Sequence, residues 1–357
     1  MYEKTAENRV TRTDLAVENL QDITASKTGN DGYKTEIKEN EASVVTVIDI
    51  LNEKGEKLFD KPKGRYVTVE VPPFGKDGEV TDDRLFSLCD ELKKLLPDDG
   101  DILVAGLGNR DITADALGPL VTSQILATRH LNSRITEDIG LSGLRSVSSI
   151  APGVLGQTGI EISDVIKSVS ELVSPSAIIS VDALAARELS RLGCTVQITD
   201  AGVAPGSGIG NQRPQISRDT MGIPVISIGV PTVISVESLL ESTFSQAKPY
   251  EQQSDRQTEQ QSKSYTEQQS ELHTEQQSKL QTEQQSELHT DQQTKLHTEQ
   301  YTDRQAEITR EEGFSGLIVT PKDIDLLVSR AAKLISLAIN TCLFPEFSIG
   351  DILNLTG

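Results

Sequence analysis

The sequence predicts an α/β protein built on a mostly parallel sheet with flanking helices. Two observations carry this. Short apolar runs of strand length recur along the chain, and stretches with apolar residues at helical spacing stand between them. The resulting βαβαβα order favours parallel pairing, because parallel neighbours need a crossover long enough to hold a helix.

In chain order, residues 33–75 carry VVTVIDI and RYVTVEV, which read as short strands of a small N-terminal β layer. FSLCDELKKLL is an amphipathic helix. ILVAGLG, 102–108, ends in glycines and reads as a buried strand, with a helical pattern following to about His130. SVSSI (146–150) is a strand and GIEISDVIKSVSELV (159–173) a helix. AIISV (177–181) is a strand, LAARELSRL (184–192) a helix and CTVQITD (194–200) a strand. IPVISIGV (223–230) is a strand before a helical segment near Val236 to Phe244. LIVT (317–320) leads into a long helix, for which Thr320, Pro321 and Asp323 supply a cap, a first-turn proline and a first-turn acid.

Residues 250–305 are different in kind. They are seven tandem octads such as TEQQSELH and TEQQSKLQ, in which Leu272, Leu280, Leu288 and Leu296 recur at spacing eight. On an α-helix that spacing drifts by about 80° per repeat, so no apolar stripe forms. The block reads as a disordered insertion or a solvated helix. The expected organisation is one α/β domain made of 15–249 and 306–357, interrupted by these repeats.

Composition narrows the function. The 357-residue chain has net charge −20, which argues against direct contact with a nucleic-acid backbone. It has no run of 18 apolar residues and no apolar leader, so neither a membrane span nor a signal peptide is expected. Cys89, Cys194 and Cys342 are odd in number and lack metal-site spacing, which fits a reducing cytoplasm.

Candidate chemistry emerges by elimination. His273, His289 and His297 lie in the repeats, leaving His130 alone to serve a histidine-dependent nucleophile, and its late-helix place suits a dipole partner better. GLGN (106–109) follows a strand, but Asp111 stands where a dinucleotide loop has its third glycine. Asp115 follows in DITADALGP, where by itself it reads as a helix-terminal acid. Asp182 comes directly after the strand AIISV. Both acids then emerge at carboxyl ends of strands, where α/β sheets bind ligands. If those strands are neighbours, the pair resists double ionisation, and one acid holds a proton while the other activates water.

At these residues the sequence resembles the germination protease family. The blocks are RTDLAVE (12–18), GRYVTVE (64–70), GLGN with DALGP, TRHL (128–131), APGVLGQTGIE (151–161), SVDALAAR (180–187), PGSGIGN (205–211), GIPVISIGVPTV (222–233) and VTPKDID (319–325). They occur in the family's order and span all but the extreme ends and the repeats. The resemblance implies a fold distantly like the hydrogenase-maturation endopeptidases and assembly as a homotetramer. It implies an endopeptidase that starts the degradation of small acid-soluble spore proteins at germination, made as a self-processing zymogen in the developing spore. The family's proposed catalytic acids match Asp115 and Asp182. RTDLAVE imitates the substrates, so self-cleavage is expected between Asp14 and Leu15, with residues 1–14 as the prosegment.

No cofactor is expected. The hydrogenase-maturation relatives hold a metal with nearby acids, which keeps open a metal-assisted mechanism using Mg, Ca or Mn. Two departures stand out: the repeats replace a non-repetitive segment, and Ala204 stands where family members often have histidine. The rival readings are an inactive binding relative acting through its repeats and a nucleotide-dependent oxidoreductase using GLGN.

Overall fold

The computed structural model describes residues 13–25, 32–39, 43–74, 83–131, 144–206, 213–242 and 316–356. The octad repeats and residues 1–12 of the expected prosegment lie outside them. Met1–Ser235 with Ile318–Gly357 form one unit, and Val236–Leu317 form another.

Among the described residues, the first unit is a sheet of nine strands flanked by helices. The strands are β1 (Tyr33–Glu39), β2 (Val44–Ile50), β3 (Gly64–Glu70), β4 (Ile102–Gly106), β5 (Val147–Ile150), β6 (Ala177–Ala186), β7 (Thr195–Thr199), β8 (Val225–Ser235) and β9 (Ile318–Val319). Their order is β1-β2-β3-β7-β8-β6-β4-β5, with β9 on β8. The central strands β5, β4, β6 and β8 pair in parallel, as the alternating pattern requires. β7 is antiparallel to β8 and to β3, so β1–β3 continue the same sheet. This corrects the expected separate N-terminal layer: β7 offers its second edge, and pairing there satisfies backbone groups that a detached layer would leave open.

Alternation along the strands divides the core between two faces. Ile102 and Val104 of β4 face α3 (Asp83–Lys93), α4 (Leu117–Thr122) and α8 (Ile324–Leu343). Leu103 and Ala105 face α6 (Ile162–Val173) on the other side. α1 (Ala16–Ala25) and α2 (Glu53–Phe59) pack Ala16, Ile23 and Phe59 against Ile48, Ile50 and Tyr66 of the antiparallel part. Further helices among the described residues are α5 (Leu155–Thr158), α7 (Arg218–Met221) and α9 (Ile349–Thr356), and residues 236–242 of the second unit are helical as well.

α8 is long and apolar enough to cross a bilayer by length and composition, yet Leu327, Val328, Ala331, Leu334, Ile335 and Ile339 are buried in the core under the sheet. Its N-cap is Asp323, which makes no side-chain cap bond, so the expected start at Thr320 shifts inward. Cys89 and Cys342 are buried where α3 meets α8, with the Cys342 thiol 3.6 Å from the Cys89 carbonyl. They are packing residues, as their apolar helix faces imply.

Two departures matter for function. The helical pattern after ILVAGLG becomes a 3₁₀ turn, Thr113–Asp115, and the short α4. LAARELSRL is not a helix. Its first residues extend β6 to Ala186, and a 3₁₀ turn covers Leu189–Arg191. Helix-forming Ala, Leu and Arg yield here because β8 runs alongside and continues the ladder to Ala186↔Ile234. Pro231 of β8 offers no N–H, and the register slips between Leu184 and Ala185 opposite it. The slip leaves Thr232 outside the ladder register, and its hydroxyl donates to the Ala114 carbonyl at 2.7 Å.

Candidate active site

Asp182 lies within β6, in register with Gly229 of β8. It is 6% exposed, and its Oδ1 accepts the Ala183 N–H at 2.9 Å. Burial pushes its carboxyl well above the usual carboxylate range. The charges of Asp115 and then Asp14 push the same way, and the Ala183 N–H opposes them.

Asp115 closes the 3₁₀ turn between β4 and α4. Three glycines bring it to the sheet. Gly108, at φ +107°, passes under it so closely that a Cβ would lie 2.1 Å from the Asp115 carbonyl oxygen. A Cβ on Gly106 would meet the Gly118 carbonyl at 2.2 Å, and one on Gly118 would meet Leu107 O at 2.3 Å and Val181 O at 2.5 Å. GLGN and DALGP therefore lock together by close backbone approach. The Asn109 N–H donates to Asp115 Oδ2 at 2.8 Å, and Gln157 Nε2 donates to Asn109 Oδ1 at 2.8 Å and Asp111 Oδ2 at 3.1 Å. Burial raises the Asp115 carboxyl, and the Asn109 N–H partly opposes this. The glycine loop serves Asp115, so its sequence reads as a carboxylate seat and not as a phosphate cradle.

The third element is the N-terminal arm. Asp14 N–H donates to the Ala185 carbonyl at 3.1 Å, and Ala185 N–H donates to Asp14 Oδ2 at 2.8 Å. Leu15 is wholly buried and packs with Val17, Leu184 and Ala186. Glu18, also buried, accepts N–H groups from Arg187 at 2.9 Å and Glu188 at 2.9 Å. Burial still raises its carboxyl, opposed first by the Thr13 hydroxyl and then by those N–H groups. Lys61 Nζ donates to the Thr13 carbonyl at 2.9 Å. Burial draws the Lys61 pKa down, while Asp14, Asp60 and Glu18 oppose it. Gln197 of β7 spans the bond after Asp14: its Nε2 donates to the Asp14 carbonyl and its Oε1 accepts the Ala16 N–H, each at 2.9 Å. Asp14 and Leu15 thus lie along the β6 extension whose root is Asp182.

Asp115, Asp182, Asp14 and Leu15 are therefore neighbours in one region, and Asp115 and Asp14 both act on the charge state of Asp182. His130 is exposed in the turn after α4. Lys61 and Gln197 escaped the sequence reading, and Glu18 entered it only as the acid that completes RTDLAVE. The three-dimensional path of the arm shows what they touch.

Among the described residues, no three His, Cys, Asp or Glu side chains gather as a metal site. Asp115 and Asp182 each already accept one backbone N–H. A cation of the Mg or Ca kind takes about six or more oxygen ligands, more than these two carboxylates supply by themselves.

The family model described as germination protease matches residues 9–353. A germination protease of Clostridium tetani is 36% identical over 346 residues, covering 96% of this chain and 98% of that one. One from Clostridium perfringens strain 13 is 44% identical over 234 residues, covering 64% of this chain and 71% of the relative. One from Bacillus velezensis is 44% identical over 245 residues, covering 65% of each. A hydrogenase maturation protease from Thermococcus kodakarensis superposes with TM-score 0.27 at 17% identity, over 40% of this chain and 80% of its own.

Proposed function

The chain belongs to the germination protease family and is a peptidase, and from that premise we propose that Asp115 and Asp182 hydrolyse peptide bonds as an acid–base pair. Its targets are small acid-soluble spore proteins at germination, and it first processes its own N-terminus between Asp14 and Leu15. The observation that carries the reading is the arm: a segment with the sequence of a substrate lies on β6 beside Asp182, held by Ala185 on both its N–H and C=O.

The roles follow from the electrostatics. Asp182, raised by burial and by two neighbouring acids, keeps its proton. Asp115, raised less strongly and steadied by the Asn109 N–H, is the ionised member that takes a proton from water. A third acid, Asp14, must share the site with both. Three ionised carboxylates together are unfavourable, so processing speeds up as pH falls and Asp182 takes its proton. Assembly as a homotetramer and residence in the spore core belong to the same proposal, on the resemblance alone.

The test is direct. The chain, matured at mildly acidic pH, is mixed with a small acid-soluble spore protein and the fragments are mapped by mass spectrometry. The expected cut follows an acidic residue and precedes a large apolar one. A matured, assembled protein that leaves this substrate intact would end the reading.

A further inference from the structure

We propose that Gln197 is a catalytic residue of self-processing: its carboxamide clamps the Asp14–Leu15 bond and donates to the oxyanion that forms on the Asp14 carbonyl. The inference rests on the self-processing reading above and adds a group to it.

Three observations converge. The first is the contact itself. Nε2 meets the carbonyl oxygen of the bond to be cut, and Oε1 meets the N–H of Ala16, so one planar amide bridges both sides of Leu15. The orientation is fixed by its partners, since a carbonyl needs a donor and an N–H needs an acceptor. The second is the register. Asp182 of β6 and Gln197 of β7 both pair with Gly229 of β8. Residues opposed in a row leave the sheet on one face. The central member of this row is a glycine, and the Leu184 side chain fills the space over it, 2.5 Å from where a Cβ would stand, so the acid and the amide flank Leu184 on one face. The third is burial. Gln197 is 5% exposed, where a hydrogen bond to developing charge is stronger than in water.

The step balances. Water oxygen bonds to the Asp14 carbonyl carbon and gives its proton to Asp115. The carbonyl electron pair moves onto oxygen, where the Gln197 N–H meets it. When the C–N bond breaks, the pair returns to the carbonyl and the Leu15 nitrogen takes the proton of Asp182. The products are the new Asp14 carboxyl group and the Leu15 amine. Gln197 touches backbone only, so the preference for an acid at this position belongs to the Ala185 N–H.

The experiment follows appearance of a Leu15 N-terminus in full chain carrying Gln197→Met or Gln197→Glu, with Asp182→Asn in parallel and a thermal melt of each. Gln197→Glu keeps the side-chain length and the acceptor for the Ala16 N–H; its carboxyl lacks a donor once ionised and regains one when protonated, so its processing is followed across pH and read where it is ionised. Processing is expected to slow by about 10²–10³ in both, the usual cost of one oxyanion donor. Parent-rate processing by folded Gln197→Met or Gln197→Glu overturns the clamp, provided Asp182→Asn is dead. Should Gln197→Met be unfolded, Gln197→Glu alone decides. Processing by Asp182→Asn would instead remove the acid pair, and the clamp with it.

Discussion

Replacing Gly118 by alanine perturbs the joint between the two proposed acids without touching either. The added Cβ would lie 2.3 Å from Leu107 O, 2.4 Å from Leu107 N and 2.5 Å from Val181 O. All three are backbone atoms, two at the exit of β4 and one in the residue before Asp182. To reach an ordinary contact of about 3.5 Å, α4 must withdraw by about 1 Å. Its Leu117 and Val121 are core residues, so the shift disturbs packing as well. Overpacking of this kind costs about 1–3 kcal/mol. Asp115 lies three residues upstream, and a misplacement of about 1 Å lowers a rate by about 10². Gly156→Ala is the control: a Cβ there meets nothing within 4 Å. Urea unfolding and the rate of Leu15 terminus formation are measured on both variants. Gly118→Ala is expected to lose on both counts and Gly156→Ala on neither. A Gly118→Ala protein with parent stability and parent processing would refute the idea that this close approach sets the site.

Asp182→Asn should abolish processing and change stability with a definite sign. The folded carboxyl titrates above its unfolded value, so its stabilising contribution is complete below the unfolded pKa and is lost as pH rises through the folded one. The variant cannot ionise there, so its stability relative to the parent should rise from about pH 4 to neutrality, and melts showing the opposite trend would reject burial as the cause. Glu18→Ala leaves the Arg187 and Glu188 N–H groups without their carboxylate and should cost about 1–3 kcal/mol in denaturant unfolding. An unchanged midpoint would show that this anchor contributes nothing. Deleting residues 250–305 should leave melting temperature and processing close to the parent, because one leucine per octad cannot offset about 1–2 kcal/mol of ordering entropy per residue. A large loss of thermal stability would make the repeats structural.

The parallel core was legible because ILVAGLG and AIISV are bounded apolar runs, and bounded runs in a βαβ order leave few topologies. Asp115 and Asp182 drew attention as polar residues following buried apolar runs, yet Asp182 stands inside β6, which continues to Ala186, and Asp115 lies in a 3₁₀ turn beyond β4. The continuation of β6 through Ala186 was not legible. Its residues favour a helix, and only β8 alongside and the arm across it keep them extended. The single sheet was hidden too, since nothing local in VVTVIDI or RYVTVEV says that β3 will meet β7. Gln197 and Lys61 act through partners 183 and 48 residues away in sequence, distances at which pattern carries no information.

The central claim is that two aspartates cut the chain's own arm. N-terminal sequencing after incubation at mildly acidic pH tests it most directly, on the parent and on Asp115→Asn and Asp182→Asn. The predicted result is a new terminus at Leu15 in the parent and the original terminus in both variants. A terminus at another residue, or a Leu15 terminus in either variant, would contradict it.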